Sequence, residues 1–262
     1  MTKSLLLGLM LPLFNAFSCT QETLTINHGP DFEVEAVSYK PQEVKSYIII
    51  IPPTGGTNFI DRSYAKGLCQ RGHHVYILAH WTGLDEINME LEIHRRLYAR
   101  AYRAIGVVLE LVPKEAKVGI LGTSVGGLHA AIAASRYTQI TSSMIILGGA
   151  HIPSIIANSD QKAMVDAWKE RQKRYGFKNK TEYIEALSQV IELEAFDRAM
   201  ISPPKKFGMV ISTGDQTVPT ANQERLKSLW LPEHVIYKDS GHFWSILSTW
   251  LFEKNFIYDF FK

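Results

Sequence analysis

Lys117-Val118-Gly119-Ile120-Leu121-Gly122-Thr123-Ser124-Val125-Gly126-Gly127-Leu128-His129-Ala130-Ala131-Ile132-Ala133-Ala134 is the stretch that decides the fold. Its first five residues are a short β-rich apolar run. Its last eight, from Gly127, are a small-residue helical pattern. Between them stands Gly122-Thr123-Ser124-Val125-Gly126, a G-x-S-x-G sequence. A strand, a tight turn and a helix in that order expose a serine hydroxyl above a sheet in a strained backbone conformation. Glycines on either side are required where a side chain would collide with the adjoining strand or helix.

The rest of the chain repeats the strand-helix alternation. Phe32 to Tyr39 alternates apolar and polar residues, as in a half-exposed strand. Ser46 to Ile51 is a continuous apolar run suited to a strand covered on both faces. It ends at the turn Pro52-Pro53-Thr54-Gly55-Gly56. A helix is expected from Phe59 to Gln70, a strand at Val75–Ala79 and a long helix from Ile87 to Leu111, stopped by Pro113. Ser143 to Leu147 reads as another buried strand. After a gap, strands follow at 206–211 and 234–237, with helices at 221–230 and from Trp244 onward. Such alternation implies an α/β fold: a mostly parallel central sheet flanked by helices, with right-handed crossovers. The gap, about 151–204, is rich in charged helix formers and shows no strand. It reads as a helical cap inserted between two sheet strands, where it would cover the serine and exclude water. The competing reading is a peripheral helical excursion.

Composition bounds the function. The 262 residues suffice for one sizeable domain, and 46% hydrophobic with 21% charged residues is ordinary for a globular chain. A formal net charge of +2 gives no reason to expect a nucleic-acid partner. The basic run from Lys169 to Arg174 sits in a helical pattern and reads as a solvated face. No spacing suggests a metal site, a phosphate loop or a dinucleotide fingerprint, so no cofactor is expected.

Residues 1–18 read as a signal peptide: a basic start at Lys3, an apolar run from Ser4 to Phe17, and small residues at Ala16 and Ser18 before Cys19. The apolar run is too short to span a bilayer comfortably. Export to the periplasm or beyond is expected. Cys19 as the first mature residue also resembles a bacterial lipoprotein signal, in which lipid on Cys19 would attach the chain to a membrane. Ala16 stands where that motif usually has leucine. The two cysteines allow one disulfide at most, and with Cys19 cleaved away or lipidated, Cys69 reads as a buried free thiol in a helix.

A serine hydroxyl needs a base to take its proton and a third group to orient that base. Downstream of Ser124, expected strands end in Gly214-Asp215-Gln216-Thr217-Val218-Pro219 and in Ser240-Gly241-His242-Phe243. These two segments and the G-T-S-V-G turn, in this order, resemble the active-site segments of the α/β-hydrolase superfamily. The resemblance covers the chain from about Tyr47 to its C-terminus, making 19–262 one hydrolase domain with the cap as an insertion. By position it implies Ser124 as nucleophile, Asp215 as acid and His242 as base, with Asp239 a rival acid poorly placed on the histidine's own loop. It implies backbone donors for an oxyanion at Val125 and in the turn after Ile51. The family often has His-Gly there, whereas Pro52 and Pro53 lack an N–H, so Thr54 is the first available amide. His80 and Trp81, after one strand, and Phe243, after the base, are candidates to line an apolar acyl pocket; His151, also directly after a strand, is a candidate for the pocket rim. The implied activity is hydrolysis of a small-molecule acyl ester through an acyl-enzyme. An acyltransferase or thioesterase would use the same triad, and a binding protein on the same fold is the reading from another class. Oligomeric state is not legible.

Overall fold

The computed structural model describes residues 18–29, 32–80, 90–193 and 205–262. In chain order the elements are β1 (Cys19–Asn27), β2 (Glu33–Pro41), β3 (Ser46–Ile51), α1 (Phe59–Cys69), β4 (His73–His80), α2 (Glu92–Glu110), β5 (Val118–Thr123) and α3 (Val125–Arg136). There follow β6 (Ile140–Ile146), α4 (Ile152–Asn158), α5 (Lys162–Tyr175), α6 (Lys180–Val190), β7 (Lys206–Ser212), α7 (Thr220–Trp230), β8 (His234–Lys238) and α8 (His242–Phe260).

The apolar runs are strands because both their faces are covered. In β3, Ile49 and Ile51 join one core with α2, α3 and α7, while Ile48 and Ile50 join a second core with α1 and α8. All four isoleucines are 1% exposed or less, so the two-residue side-chain period feeds two helical layers at once. The sheet has eight strands in the order β1-β2-β4-β3-β5-β6-β7-β8. From β4 to β8 every pairing is parallel, and β1 and β2 add an antiparallel edge. The chain moves from β3 outward to β4, then crosses back to place β5 on the other side of β3. Order therefore reverses between β3 and β5, and a crevice opens at their carboxyl ends, where ligands bind in such sheets.

Two elements and one cysteine depart from the sequence expectation. β1 went unforeseen because CTQETLTIN is polar and largely exposed; it is a strand by pairing along its whole length with β2, from Cys19↔Pro41 to Asn27↔Glu33. α8 begins at His242, not Trp244, because Gly241 is extended and caps it, with Ser245 N–H donating to Gly241 O at 3.0 Å. Cys69 is not a free thiol: it is bonded to Cys19 with a Cα–Cα separation of 6.3 Å. That disulfide ties the polar edge strand to the end of α1. A sulfur held this way cannot at the same time carry a thioether lipid, so the lipidated state of Cys19 and this cross-link exclude one another. The leader, residues 1–17, lies outside the described residues.

Between β6 and β7 the described residues hold three helices and no strand. They are not a loose excursion. Ile152, Ile156, Met164, Tyr183 and Leu187 form one apolar cluster with Tyr98 of α2, Leu128 and Ile132 of α3, and Val218, with Val125 packed against it. At its centre Arg171 of α5 is fully buried. Its Nη1 donates to Tyr183 Oη at 2.6 Å and to His94 Nε2 of α2 at 2.7 Å, and Nη2 donates to Glu90 O at 3.3 Å. Arginine keeps its proton, so His94 must accept and remain neutral. Burial, and then the Arg171 charge, lower its pKa to about 3.

Loss of the Cys19–Cys69 cross-link releases a loop spanning 50 positions. Cys69→Ser therefore lowers stability by about 2–4 kcal/mol, read by denaturant titration; a change below that range would mean the edge is held by the β1–β2 ladder alone. His94 has a folded pKa below its unfolded one, so its contribution is complete above about 6.5 and is lost as pH falls toward about 3. His94→Gln keeps an acceptor for Arg171 and does not titrate. Its stability therefore falls less steeply than wild type between pH 6.5 and 4 in urea titrations, and identical slopes would refute this account.

Candidate active site

Ser124 follows β5 directly and adopts φ 57°, ψ −123°. A non-glycine residue in this region carries about 1–3 kcal/mol of strain and persists only where its surroundings hold it. Here they do: Ser124 N–H donates to Ile146 O at 2.8 Å, and Ser124 O accepts from Gly127 N–H at 2.8 Å and Leu128 N–H at 3.2 Å, opening α3. The flanking glycines are sterically required. A Cβ on Gly122 would lie 2.4 Å from Gly126 O, and one on Gly126 would lie 2.2 Å from Ile51 O and 2.3 Å from Pro52 O. The serine side chain caps no helix amide and is turned instead to His242.

Asp215 and His242 arrive on the loops after β7 and β8, which are fastened to each other. Ser212 Oγ donates to Ser240 O, Thr213 N–H donates to Lys238 O at 2.9 Å, and Thr213 Oγ1 donates to Asp239 Oδ1 at 3.0 Å. Asp239 is thus engaged away from the imidazole. Asp215 is 1% exposed. Its Oδ1 accepts from the Thr217 and Val218 amides at 2.9 and 3.0 Å, and its Oδ2 accepts from Gln223 Nε2 at 2.9 Å. The same Oδ2 lies 2.7 Å from His242 Nδ1, and His242 Nε2 lies 2.8 Å from Ser124 Oγ. With Asp215 accepting from Nδ1–H, Nε2 is left to accept the serine proton. The three residues singled out in the sequence therefore form one hydrogen-bonded chain.

Gln223 is the residue that sequence reasoning missed. It is fully buried in the first turn of α7. Its Oε1 accepts from Ser212 N–H at 3.0 Å, and its Nε2 donates to Val218 O at 2.7 Å as well as to Asp215. One amide thus spans the end of β7, the acid loop and the acid itself. A glutamine in a helical pattern carries no local signal of this; its place just after Pro219, with the acid loop returning over it, was the available clue.

Val125 is the first residue of α3, beside Ser124. Thr54 sits in the turn after β3, closed by Gly56 N–H donating to Pro53 O at 3.2 Å with Gly55 at φ 95°. Among the described residues neither the Val125 nor the Thr54 amide donates to a protein acceptor. The turn ends in a capping box: Asn58 Oδ1 accepts from Ile60 and Asp61 N–H, and Asp61 Oδ2 accepts from Asn58 N–H at 3.0 Å. Burial pushes the Asp61 carboxyl up to about 7.

Neither His80 nor Phe243 takes part in this chain of bonds. His80, at the end of β4, is largely exposed and its Nε2 lies 3.5 Å from Glu35 Oε2 on β2. Phe243 is 65% exposed and contacts Trp244 edge-on. Trp81 lies outside the described residues. His129 is buried in α3 against Tyr98, and burial lowers its pKa to about 3. His151 has a left-handed backbone at the root of α4, and its carbonyl accepts from Asn222 Nδ2 at 3.3 Å.

No protein-family model matches the sequence, and no curated protein matches it. Solved structures do. Carboxyl esterase 2 of the mycorrhizal fungus Tuber melanosporum is 16% identical, with TM-score 0.60 over 92% of this chain and 86% of its own. A Pyrococcus furiosus esterase is 14% identical, with TM-score 0.59 over 93% and 92%. The Pyrococcus horikoshii acylaminoacyl peptidase is 13% identical, with TM-score 0.63 over 93% of this chain but 41% of its own. The chain has the α/β-hydrolase fold. Within this fold the Ser124 turn, the Asp215 loop and His242 lie at the carboxyl ends of β5, β7 and β8.

Gln223→Leu removes all three of its bonds and leaves Ser212 N–H and one face of Asp215 without partners. The rate of Ser124 labelling by a fluorophosphonate is expected to fall about tenfold or more, equivalent to about 1.4 kcal/mol, in protein that circular dichroism shows to be folded. An unchanged rate would mean that the two backbone amides alone orient Asp215.

Proposed function

We propose that this protein is a serine hydrolase that cleaves a small-molecule carboxylic ester by way of an acyl-enzyme. The observation that carries the reading is the continuous Ser124–His242–Asp215 chain of bonds at 2.8 and 2.7 Å, on a serine whose backbone is strained at the mouth of the sheet.

In the forward step Ser124 Oγ forms a bond to the substrate carbonyl carbon as its proton passes to His242 Nε2. Asp215, held by three other donors, fixes the imidazole with Nδ1 toward itself and stabilises the charge that appears on the ring. The carbonyl oxygen becomes an oxyanion, for which the Val125 and Thr54 amides are the assigned donors. Collapse expels the alcohol, which leaves with the proton from Nε2. Water then attacks the acyl-enzyme, His242 takes its proton, and the acid departs with Ser124 restored. Every bond and proton closes on the chain's own residues and water.

Ester cleavage is preferred over amide cleavage because esterases are among the solved structures similar along their whole length, whereas the chain spans about two fifths of the peptidase it matches. The cap, with Val125 and Val218 packed against its apolar cluster, is assigned the wall that excludes water from the acyl group. Export fits the cross-link between Cys19 and Cys69, since disulfides persist in oxidising compartments; cleavage of the leader before Cys19 would leave that pair intact.

The test is fluorophosphonate labelling together with hydrolysis of p-nitrophenyl esters of graded chain length. Wild type labels and turns over. Ser124→Ala does neither, and Asp215→Asn loses about 10³–10⁴ in kcat. Folded wild type that neither labels nor hydrolyses any ester would overturn the assignment in favour of a binding protein on the same fold.

A further inference from the structure

At the opposite edge of the sheet, where the parallel strands begin, lies a groove of about 1100 Å³. Strands of about six residues at about 3.3 Å each set it roughly 20 Å from the triad. Its lining contains six cationic side chains, Lys45, Arg71, Lys117, Lys205, Lys206 and Lys262, and one carboxylate, Glu43. Global basicity does not account for this. The whole chain has 28 basic and 26 acidic residues, so the groove gathers charge that the rest of the molecule balances.

Two of the cations are held in place. Arg71 Nη1 donates to Gly67 O at 2.8 Å and its guanidinium lies 4.2 Å from the Tyr258 ring centroid. Lys206 Nζ donates to Phe260 O at 2.5 Å, 4.8 Å from that ring's centroid. Lys262 is paired with Asp259 at 2.6 Å. Lys45, Lys117 and Lys205 make no ion pair or side-chain hydrogen bond among the described residues. The floor is polar as well. His73 is 4% exposed, with Nδ1 2.7 Å from Ser46 Oγ and an Nε2 that meets no partner among the described residues. Burial lowers its pKa to about 4, with Lys45 and Arg71 adding to the effect, so the ring is neutral near pH 7. Phe260 and Phe261 supply an apolar wall.

We propose that this groove binds a phosphate-bearing ligand, independently of the triad. Several cations converging on a concave wall suit a dianionic group better than a single carboxylate. The volume exceeds that of a bare phosphate and lies just above the roughly 300–1,000 Å³ usual for a small-ligand pocket, leaving room for a non-phosphate portion against Phe260 and Phe261. The phosphoryl group comes either from a soluble phosphorylated molecule or from a phospholipid headgroup, and both present the same chemistry to the lysines.

Inorganic pyrophosphate serves as the soluble probe, titrated calorimetrically at fixed chloride concentration. Phosphatidylglycerol vesicles, against phosphatidylcholine vesicles, serve as the lipid probe in flotation. The Lys45→Glu/Lys117→Glu double variant changes two exposed side chains and is checked by its thermal midpoint. Pyrophosphate binding weakened tenfold or more in the double variant and unchanged in Ser124→Ala supports the site with a soluble ligand. Retention on phosphatidylglycerol vesicles alone, lost in the double variant, supports it with a headgroup. Absence of both, or binding that the double variant leaves intact, overturns it.

Discussion

The arrangement rests on one close backbone approach, the packing of Gly126 against the Ile51 and Pro52 carbonyls. A Cβ at that position would sit 2.2 Å from the first and 2.3 Å from the second. This contact lets α3 start directly beside the end of β3. It thereby brings the turn carrying Thr54 to the same place as Ser124 and Val125. Gly122 meets the matching demand on the β5 side, where a Cβ would lie 2.4 Å from Gly126 O and 2.6 Å from the Ala130 methyl. Two missing side chains therefore permit a strained serine, a helix N-terminus and a second backbone turn to share one crevice.

The remaining parts of the site are held from behind. Asp215 accepts four hydrogen bonds, from the amides of Thr217 and Val218, from Gln223 and from His242. A carboxylate with its acceptor sites filled is fixed in position. The loops that carry acid and base are joined to each other through Ser212, Thr213 and Ser240. The cap root joins the same assembly: Asp160 Oδ1 accepts from Thr217 Oγ1 at 2.7 Å, and Asn222 bonds Ala150 through both its backbone and side chain. The cap's interior charge, Arg171, is shared between α2, α5 and α6. Breaking such a buried polar cluster at one partner is costly because the others are left desolvated. Helices α4 to α6 and the α/β core are thus coupled through polar contacts at their seam as well as through apolar packing.

Much of this was legible in the chain. Continuous β-branched runs such as Ser46 to Ile51 mark strands covered on both faces, and their alternation with helical patterns sets the parallel sheet. G-T-S-V-G between a strand and a small-residue helix marks the serine turn. Asp215 and His242 were legible because each closes a strand, and parallel strands deliver their carboxyl ends to one edge. Each of these signals is local, carried by residues adjacent in sequence. The polar strand β1 was not legible, since CTQETLTIN has no apolar period of its own and exists through its partner.

What the sequence by itself determined is the alternation of strands and helices after β1, the choice of Ser124, Asp215 and His242 as candidates, and the need for glycine at 122 and 126, because periodicity and turn chemistry are written in neighbouring residues. What only the tertiary structure decided is which distant groups meet: Cys19 with Cys69, Arg171 with His94, Gln223 with Asp215, and the lysines of separate strands and loops in one groove. These depend on crossover handedness, strand order and the few degrees of freedom left once both sheet faces are covered. No local pattern encodes a contact between residues 77 positions apart, as in Arg171 and His94; it is fixed when the two apolar faces that carry them close on each other.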